Sequence, residues 1–265
     1  MIIEHFGFTQ EPFTRDIPPE ELMQFAAHKE MVIRLQFAAE HRQAALVTGD
    51  TGTGKTTAVR AVIKGLDDSR FRAMYIASRS LTAKTLYREI LQRLKIEPKN
   101  RSTDNQILAR QAFEDSCQRG VQWIVAIDEA HELDVAMLSE FRFMLNFRAD
   151  SFTPFSLWLI GQSELREKLR LRILSSLAQR VQIRYHMTGL KEHEVAAYID
   201  KQLKRAGKDL TLFCSEAVTW IVKVSQANPR LIGALCRTAL IDAAARKDNR
   251  IEIGHAERAW NEVQG

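Results

Sequence analysis

The sequence predicts an α/β protein, a five-stranded parallel sheet covered by helices and followed by a small helical domain. Two observations carry this expectation. Short apolar runs alternate with helix-length patterns between residues 41 and 190, as a sheet buried on both faces requires. After about Gly189 the strand signal disappears and four helical patterns follow.

The elements are read in order. Residues 1–40 form an N-terminal segment, turn-rich around Pro12, Pro18 and Pro19, with a helical pattern from about Glu20 to Glu40. The core, 41–190, holds strand candidates Ala44–Thr48, Arg72–Ala77, Trp123–Ile127, Phe155–Ile160 and Val181–Tyr185. Between them lie helical patterns over Lys55–Leu66, Ala83–Leu94, Thr103–Arg119, Val135–Phe147 and Glu164–Leu177. Thr103 reads as an N-cap and Gly120 as a C-terminal stop. The last domain, 191–265, reads as helices over Lys191–Arg205, Ser215–Ser225, Pro229–Arg246 and Gly254–Val263.

Composition narrows the class. Of 265 residues, 45% are hydrophobic and 27% charged, the balance of an ordinary soluble globular chain. Apolar runs such as Trp123 to Ile127 are far shorter than a membrane span, and the first residues lack the pattern of a secretion signal. Cys117, Cys214 and Cys236 lie far apart without a C-x-x-C pair, which argues against a zinc site or a disulfide framework. A reduced, cytoplasmic protein with no membrane partner is expected.

The stretch Gly49-Asp50-Thr51-Gly52-Thr53-Gly54-Lys55-Thr56 reads G-x-x-x-x-G-K-T between the first strand and a helix. That context is what a phosphate-binding loop needs. Glycines let the backbone turn its N–H groups onto the phosphates of ATP, and the helix N-terminus adds its positive end, so Gly49 through Thr57 are the expected nucleotide contacts. Lys55 is suited to reach the β- and γ-phosphates and the Thr56 hydroxyl to ligate Mg²⁺.

The third strand runs into Asp128-Glu129, where ligands bind in open α/β sheets. Asp128 is suited to hold Mg²⁺ and Glu129 to deprotonate the attacking water. The string Asp128-Glu129-Ala130-His131 is also the signature of a helicase class that needs two such cores, and only one motif set is present. His131 is expected to link the site to a neighbouring residue. Gln162, at the tip of the fourth strand, either helps Glu129 place the water or caps the helix that Ser163 begins.

Net charge is +5, and Glu164 to Arg184 holds six cations against two carboxylates. A polyanion, a subunit interface or a solvated helix face would each account for that window. Within it, Arg180 precedes the fifth strand, badly placed for its own nucleotide but suited to a neighbouring subunit's; a helix-end arginine on the dipole is the plainer alternative. Arg230 opens a helix after Asn228-Pro229 and could reach the γ-phosphate.

Phosphate loop, Asp-Glu strand, strand-tip amide, Gln179-Arg180 and Pro229-Arg230, in that order, resemble the AAA+ ATPases. The opening Phe6-Gly7-Phe8-Thr9-Gln10-Glu11-Pro12-Phe13 and the segment Leu159 to Leu165 resemble the ExeA/GspA-like branch. The compact form is similar to the transposon-encoded ATPases that act like MuB and TnsC. One departure is Ala227-Asn228 before Pro229, where that family often has a glycine. The resemblance implies an ATP-hydrolysing protein that oligomerises as a ring or filament on duplex DNA and recruits or regulates a transposase. The alternative it implies is an ATPase assisting assembly of a secretion apparatus; a third reading is an adaptor in which ATP only holds an oligomer together. In similar ATPases the DNA contacts follow the second strand and the next helical connection, which here offer Arg79, Lys84, Lys99 and Arg101 beside small hydroxyl residues.

Overall fold

A computed structural model of the chain describes residues 2–14, 25–77, 81–148 and 151–264, in two compact units. One comprises Glu30–Asp50 and Lys55–Met187; the other comprises Met1–Lys29, Thr51–Gly54 and Thr188–Gly265.

The first unit is built on a five-stranded sheet of β1 (Ala44–Thr48), β2 (Phe71–Ala77), β3 (Gln122–Asp128), β4 (Phe155–Gly161) and β5 (Val181–His186). All pairings are parallel and the spatial order is β2-β3-β4-β1-β5. Every residue of β1 and β4 is buried, because both strands are interior to the sheet. The edge strands β2 and β5 alternate between buried and exposed positions instead. Ser156 interrupts the apolar run of β4 without penalty: its hydroxyl donates to the Gln43 carbonyl at 2.6 Å and accepts the Trp158 indole N–H at 2.8 Å.

The register sets the site. Ala77 pairs with Asp128, while Thr48 pairs with both Gly161 and His186. The C-terminal ends of all five strands therefore share one edge, and the loops carrying the motifs leave from it.

Around the sheet lie α2 (Ala26–Glu40), whose last eleven residues belong to this unit, α3 (Lys55–Gly65), α4 (Ala83–Arg93), α5 (Ser102–Gln118) and α6 (Val135–Leu145). Two expectations need correction. Thr103 is not the N-cap of α5: Arg101 occupies that position, and the preceding loop is held instead by the buried Asn105 side chain, bonded both ways to the Lys99 backbone at 2.7 and 2.9 Å. The helix expected over Glu164–Leu177 is three pieces, α7 (Glu164–Leu169), a 3₁₀ turn (Arg172–Leu174) and α8 (Ser175–Arg180). Leu171 breaks it in an extended conformation, which buries Leu165, Leu169, Leu174 and Leu177 while Leu171 and Ile173 stay exposed. A single 3.6-residue spiral cannot bury that set without Ile173. Ser163, before α7, makes no side-chain capping bond, and its hydroxyl reaches Asp50. Gly120 does follow α5 in the left-handed region, φ +80°.

The second unit contains α1 (Ile2–Phe6), α9 (Glu192–Arg205), α10 (Ser215–Ser225), α11 (Pro229–Arg246) and α12 (Ile253–Gln264). The opening segment packs here, burying Phe6, Phe8 and Phe13, with Thr9 N–H on the Ala206 carbonyl and the Gln10 amide on that of Arg205. Asp242 of α11 accepts from Arg246 and, across to α12, from Arg258. Among the described residues no helix is long and apolar enough to cross a membrane.

Candidate nucleotide site

The sheet unit assembles most of the expected nucleotide residues. Gly49 and Asp50 leave β1, and α3 begins at Lys55. The Lys55 side chain is buried and its ammonium donates to the carbonyls of Gly49 and Asp50 at 2.7 and 2.8 Å. Its charge is thereby fixed at the base of the loop. Thr56 and Thr57 follow in the first turn of α3, whose N-terminus favours anions.

Asp128, at the end of β3, is buried and fully hydrogen-bonded. One carboxylate oxygen accepts from Thr56 Oγ1 at 3.0 Å and from the Tyr75 hydroxyl; the other accepts the Glu129 N–H at 2.8 Å. Glu129 stands just beyond the strand with φ 52° and ψ 33°, in the left-handed region that non-glycine residues seldom adopt. This kink turns the chain into a 3₁₀ turn (Ala130–Glu132) and leaves the Glu129 side chain half exposed. His131 Nδ1 lies 3.4 Å from Glu129 Oε2, and His131 Nε2 lies 2.9 Å from the Gln162 amide nitrogen. His131 thus stands between the strand-tip amide, to which it is hydrogen-bonded, and the Glu129 carboxylate, which it faces.

The pairing of hydroxyl and carboxylate at 3.0 Å is a hard-oxygen donor set of the kind Mg²⁺ takes. Thr56 and Asp128 fit the ion.

Thr51–Gly54 belongs to the helical unit. Gly52 and Gly54 have φ of +86° and +99°. A Cβ on Gly52 would lie 2.6 Å from Asn228 Oδ1 and 2.7 Å from Arg230 Cβ, so this loop closes on the start of α11 with no room for a side chain. Asn228 serves both sides: Oδ1 caps α11 by accepting from the Arg230 and Leu231 N–H groups, and Nδ2 donates to the Thr51 carbonyl at 2.8 Å. Arg230 is exposed beside Gly52. Gln226 and Ala227 both take positive φ, the conformation for which a glycine is the ordinary choice.

Arg180 ends α8, half-buried, and its guanidinium donates to the carbonyl and hydroxyl of Ser176 at 2.8 and 2.5 Å. Of the cationic window, Arg166, Arg170 and Arg184 line a cavity of about 180 Å³ with Thr48 and His186. Lys168 is no solvated charge: its ammonium donates to the carbonyls of His131 and Leu133. Lys84 is exposed in the first turn of α4, and Lys99 and Arg101 are exposed before α5. Arg79 lies outside the described residues.

Sequence reasoning missed Tyr75, Lys168 and Asn228 as parts of the site. Tyr75 sits on β2 beside Ala126 of β3 in the register, two residues short of Asp128. No linear spacing marks such a neighbour. Asn228 stood out only as the residue before Pro229.

A family model described as an AAA domain matches residues 38–169. With the parallel sheet and its strand order, the match defines the class of fold: that of an AAA+ P-loop domain. Within that class it is similar to the ExeA/GspA type. It is 31% identical over 269 residues to General secretion pathway protein A of Aeromonas hydrophila, covering 100% of this chain and 49% of that protein. The chain thus spans about half the length of this curated relative.

Solved structures agree on the fold. Cdc6p from Pyrobaculum aerophilum matches with a TM-score of 0.74 at 16% identity, over 95% of this chain and 70% of that one. Drosophila ORC bound to DNA matches at 0.68 and 18% identity, over 100% and 65%. The Thermotoga maritima RuvB Holliday junction branch migration motor matches at 0.59 and 18%, over 89% and 67%. At such identities the likeness concerns the fold alone.

Proposed function

We propose that this chain is a Mg²⁺-dependent ATPase that oligomerises on duplex DNA and recruits or regulates a transposase. The observation that carries the hydrolytic part is the Asp128 carboxylate bonded to Thr56, with Glu129 turned out immediately beyond it. Lys55 neutralises the β- and γ-phosphates of ATP. Thr56 and Asp128 would hold Mg²⁺, which would supply positive charge to the phosphate oxygens. Glu129 takes a proton from water as its oxygen bonds to the γ-phosphorus; the bond to the β-γ bridging oxygen breaks, leaving ADP and phosphate. Gln162 orients that water. Arg180 stabilises developing charge on a neighbouring subunit's phosphate after exchanging its Ser176 bonds for phosphate oxygens.

The DNA-binding part is supported by Lys84, Lys99 and Arg101, exposed cations with Thr82, Thr85, Ser102 and Thr103 close in sequence, a mixture suited to backbone phosphates. A transposase as partner, in the manner of MuB and TnsC, rests on resemblance. The second reading is assistance in assembling a secretion apparatus, favoured by the identity to General secretion pathway protein A across this whole chain.

Two variants test the hydrolytic assignment. Lys55→Ala should lose ATP binding, and Glu129→Gln should keep binding while turnover drops about 10²–10⁴-fold, the usual worth of a general base. Equal turnover in Glu129→Gln and wild type would sink the assignment. Electron microscopy with ATP, with and without duplex DNA, separates the two cellular roles: assembly indifferent to DNA favours the secretion reading.

A further inference from the structure

We infer that His131 is a positioning residue, a relay through which the strand-tip amide of Gln162 sets the orientation of the Glu129 carboxylate. The inference rests on the proposed role of Glu129 as general base and adds to it how that base is held.

The hydrogen-bond chemistry fixes the direction of the relay. The Gln162 NH₂ can only donate, so His131 Nε2, 2.9 Å away, accepts. The ring proton then resides on Nδ1, which is buried and faces Glu129 Oε2 at 3.4 Å. The opposite amide orientation would put the ring proton on Nε2 and turn the bare Nδ1 lone pair toward a carboxylate, a repulsive pairing. A small swing of the half-exposed Glu129 side chain brings Nδ1–H to hydrogen-bond length.

Two further features hold the ring in place. Lys168 of α7 grips the 3₁₀ turn through the carbonyls of His131 and Leu133. Gly161, the residue before Gln162, lies so close that a Cβ there would come within 3.0 Å of the His131 backbone nitrogen. The tip of β4 and the His131 turn are therefore packed backbone to backbone, and a change at one is felt at the other.

The consequence is conditional. While Gln162 donates to Nε2, His131 keeps its proton on Nδ1 and holds Glu129. When the Gln162 amide turns to a γ-phosphate oxygen, Nε2 loses its donor, the Nδ1–H tautomer loses part of its preference, and Glu129, still oriented by Nδ1–H, gains freedom to swing toward water. No proton is gained or lost by the ring.

The tautomer is the direct readout, independent of hydrolysis. In full-length protein labelled with ¹⁵N-histidine, with the resonance assigned by its loss in His131→Asn, His131 should be the Nδ1–H tautomer. Gln162→Ala, or addition of Mg²⁺ and a non-hydrolysable ATP analogue to wild type, should shift it toward Nε2–H. An Nε2–H ring in wild type, or a spectrum unmoved by Gln162→Ala, overturns the relay.

Kinetics give the second arm. His131→Ala should lower kcat about tenfold, the worth of one positioning hydrogen bond, with KM within about twofold. His131→Asn, whose amide N–H occupies the Nδ1 position, should recover most of that loss, and His131→Gln should not. Rescue by Gln and not Asn overturns the proposal. Normal turnover in Glu129→Gln would remove the general-base reading, while the tautomer response would still decide whether Gln162 and His131 are coupled.

Discussion

Replacing Gly52 by alanine isolates what the closed loop contributes to nucleotide binding. At φ +86° a side chain is disfavoured before any contact is considered, by about 1–2 kcal/mol. The new methyl would stand 2.6 Å from Asn228 Oδ1 and 2.7 Å from Arg230 Cβ. Arg230 Cβ sits on helical backbone, so the loop must be the part that moves. Moving it breaks the Asn228 bond to the Thr51 carbonyl, worth about 1 kcal/mol. Together these disfavour the loop conformation by about 2–3 kcal/mol, and that amount is charged against binding, a loss of about 30- to 150-fold in ATP affinity. Titration with a fluorescent ATP analogue measures it. Gly65→Ala is the control: nothing lies within 4 Å of the added Cβ, and alanine at the end of α3 should stabilise by up to about 1 kcal/mol with unchanged affinity. If Gly52→Ala binds nucleotide within about threefold of wild type, well short of the affinity loss worked out above, the loop does not close on α11 in the way that binds ATP.

Three further outcomes are expected. Arg180→Ala should lose turnover with little change in nucleotide affinity, and mixing it with Lys55→Ala protein should restore some activity; no rescue at any ratio, with assembly confirmed, counts against a shared site. The combined alanine variant of Arg79, Lys84, Lys99 and Arg101 should bind duplex DNA weakly on unrelated sequences and with a shallower salt dependence, by up to about 0.9 in log–log slope per lost phosphate contact. Binding like wild type would move attention to the window from Arg166 to Arg184. Asp242 tests the helical unit. Burial pushes its carboxyl up, but hydrogen bonds from Arg258 and Arg246 outweigh that and hold it below the usual carboxylate range. A depressed folded value means stabilisation present above the unfolded value of about 4 and lost as pH falls through the folded one. Both arginines are about half exposed, so screening keeps Asp242→Asn to about 0.5–1 kcal/mol at pH 7. The melting difference from wild type should shrink in acid; a gap that persists unchanged at pH 2 refutes the ionic account.

The amino-acid sequence by itself determined the strands, because Ala44–Thr48 and Phe155–Ile160 are apolar for the local reason that both of their faces are covered. It also determined that a glycine-rich loop joins β1 to α3, since the residues that make that connection are consecutive in the chain. The helix expected over Glu164–Leu177 failed because its apolar spacing fits one spiral, while burial of Leu174 in place of Ile173 depends on what the sheet presents. Thr103 failed as a cap because Asn105, a residue that local rules place neutrally, found its partners on Lys99. The connections that make a site of the motifs are tertiary throughout. Tyr75 meets Asp128 only because β2 lies beside β3, and Gln162 meets His131 only because β4 lies beside β3. Lys168 looked like one charge in a basic helix until the fold set two backbone carbonyls within its reach. Local propensity is written in neighbours along the chain. Strand order and register bring distant residues together, and no short stretch of sequence contains them.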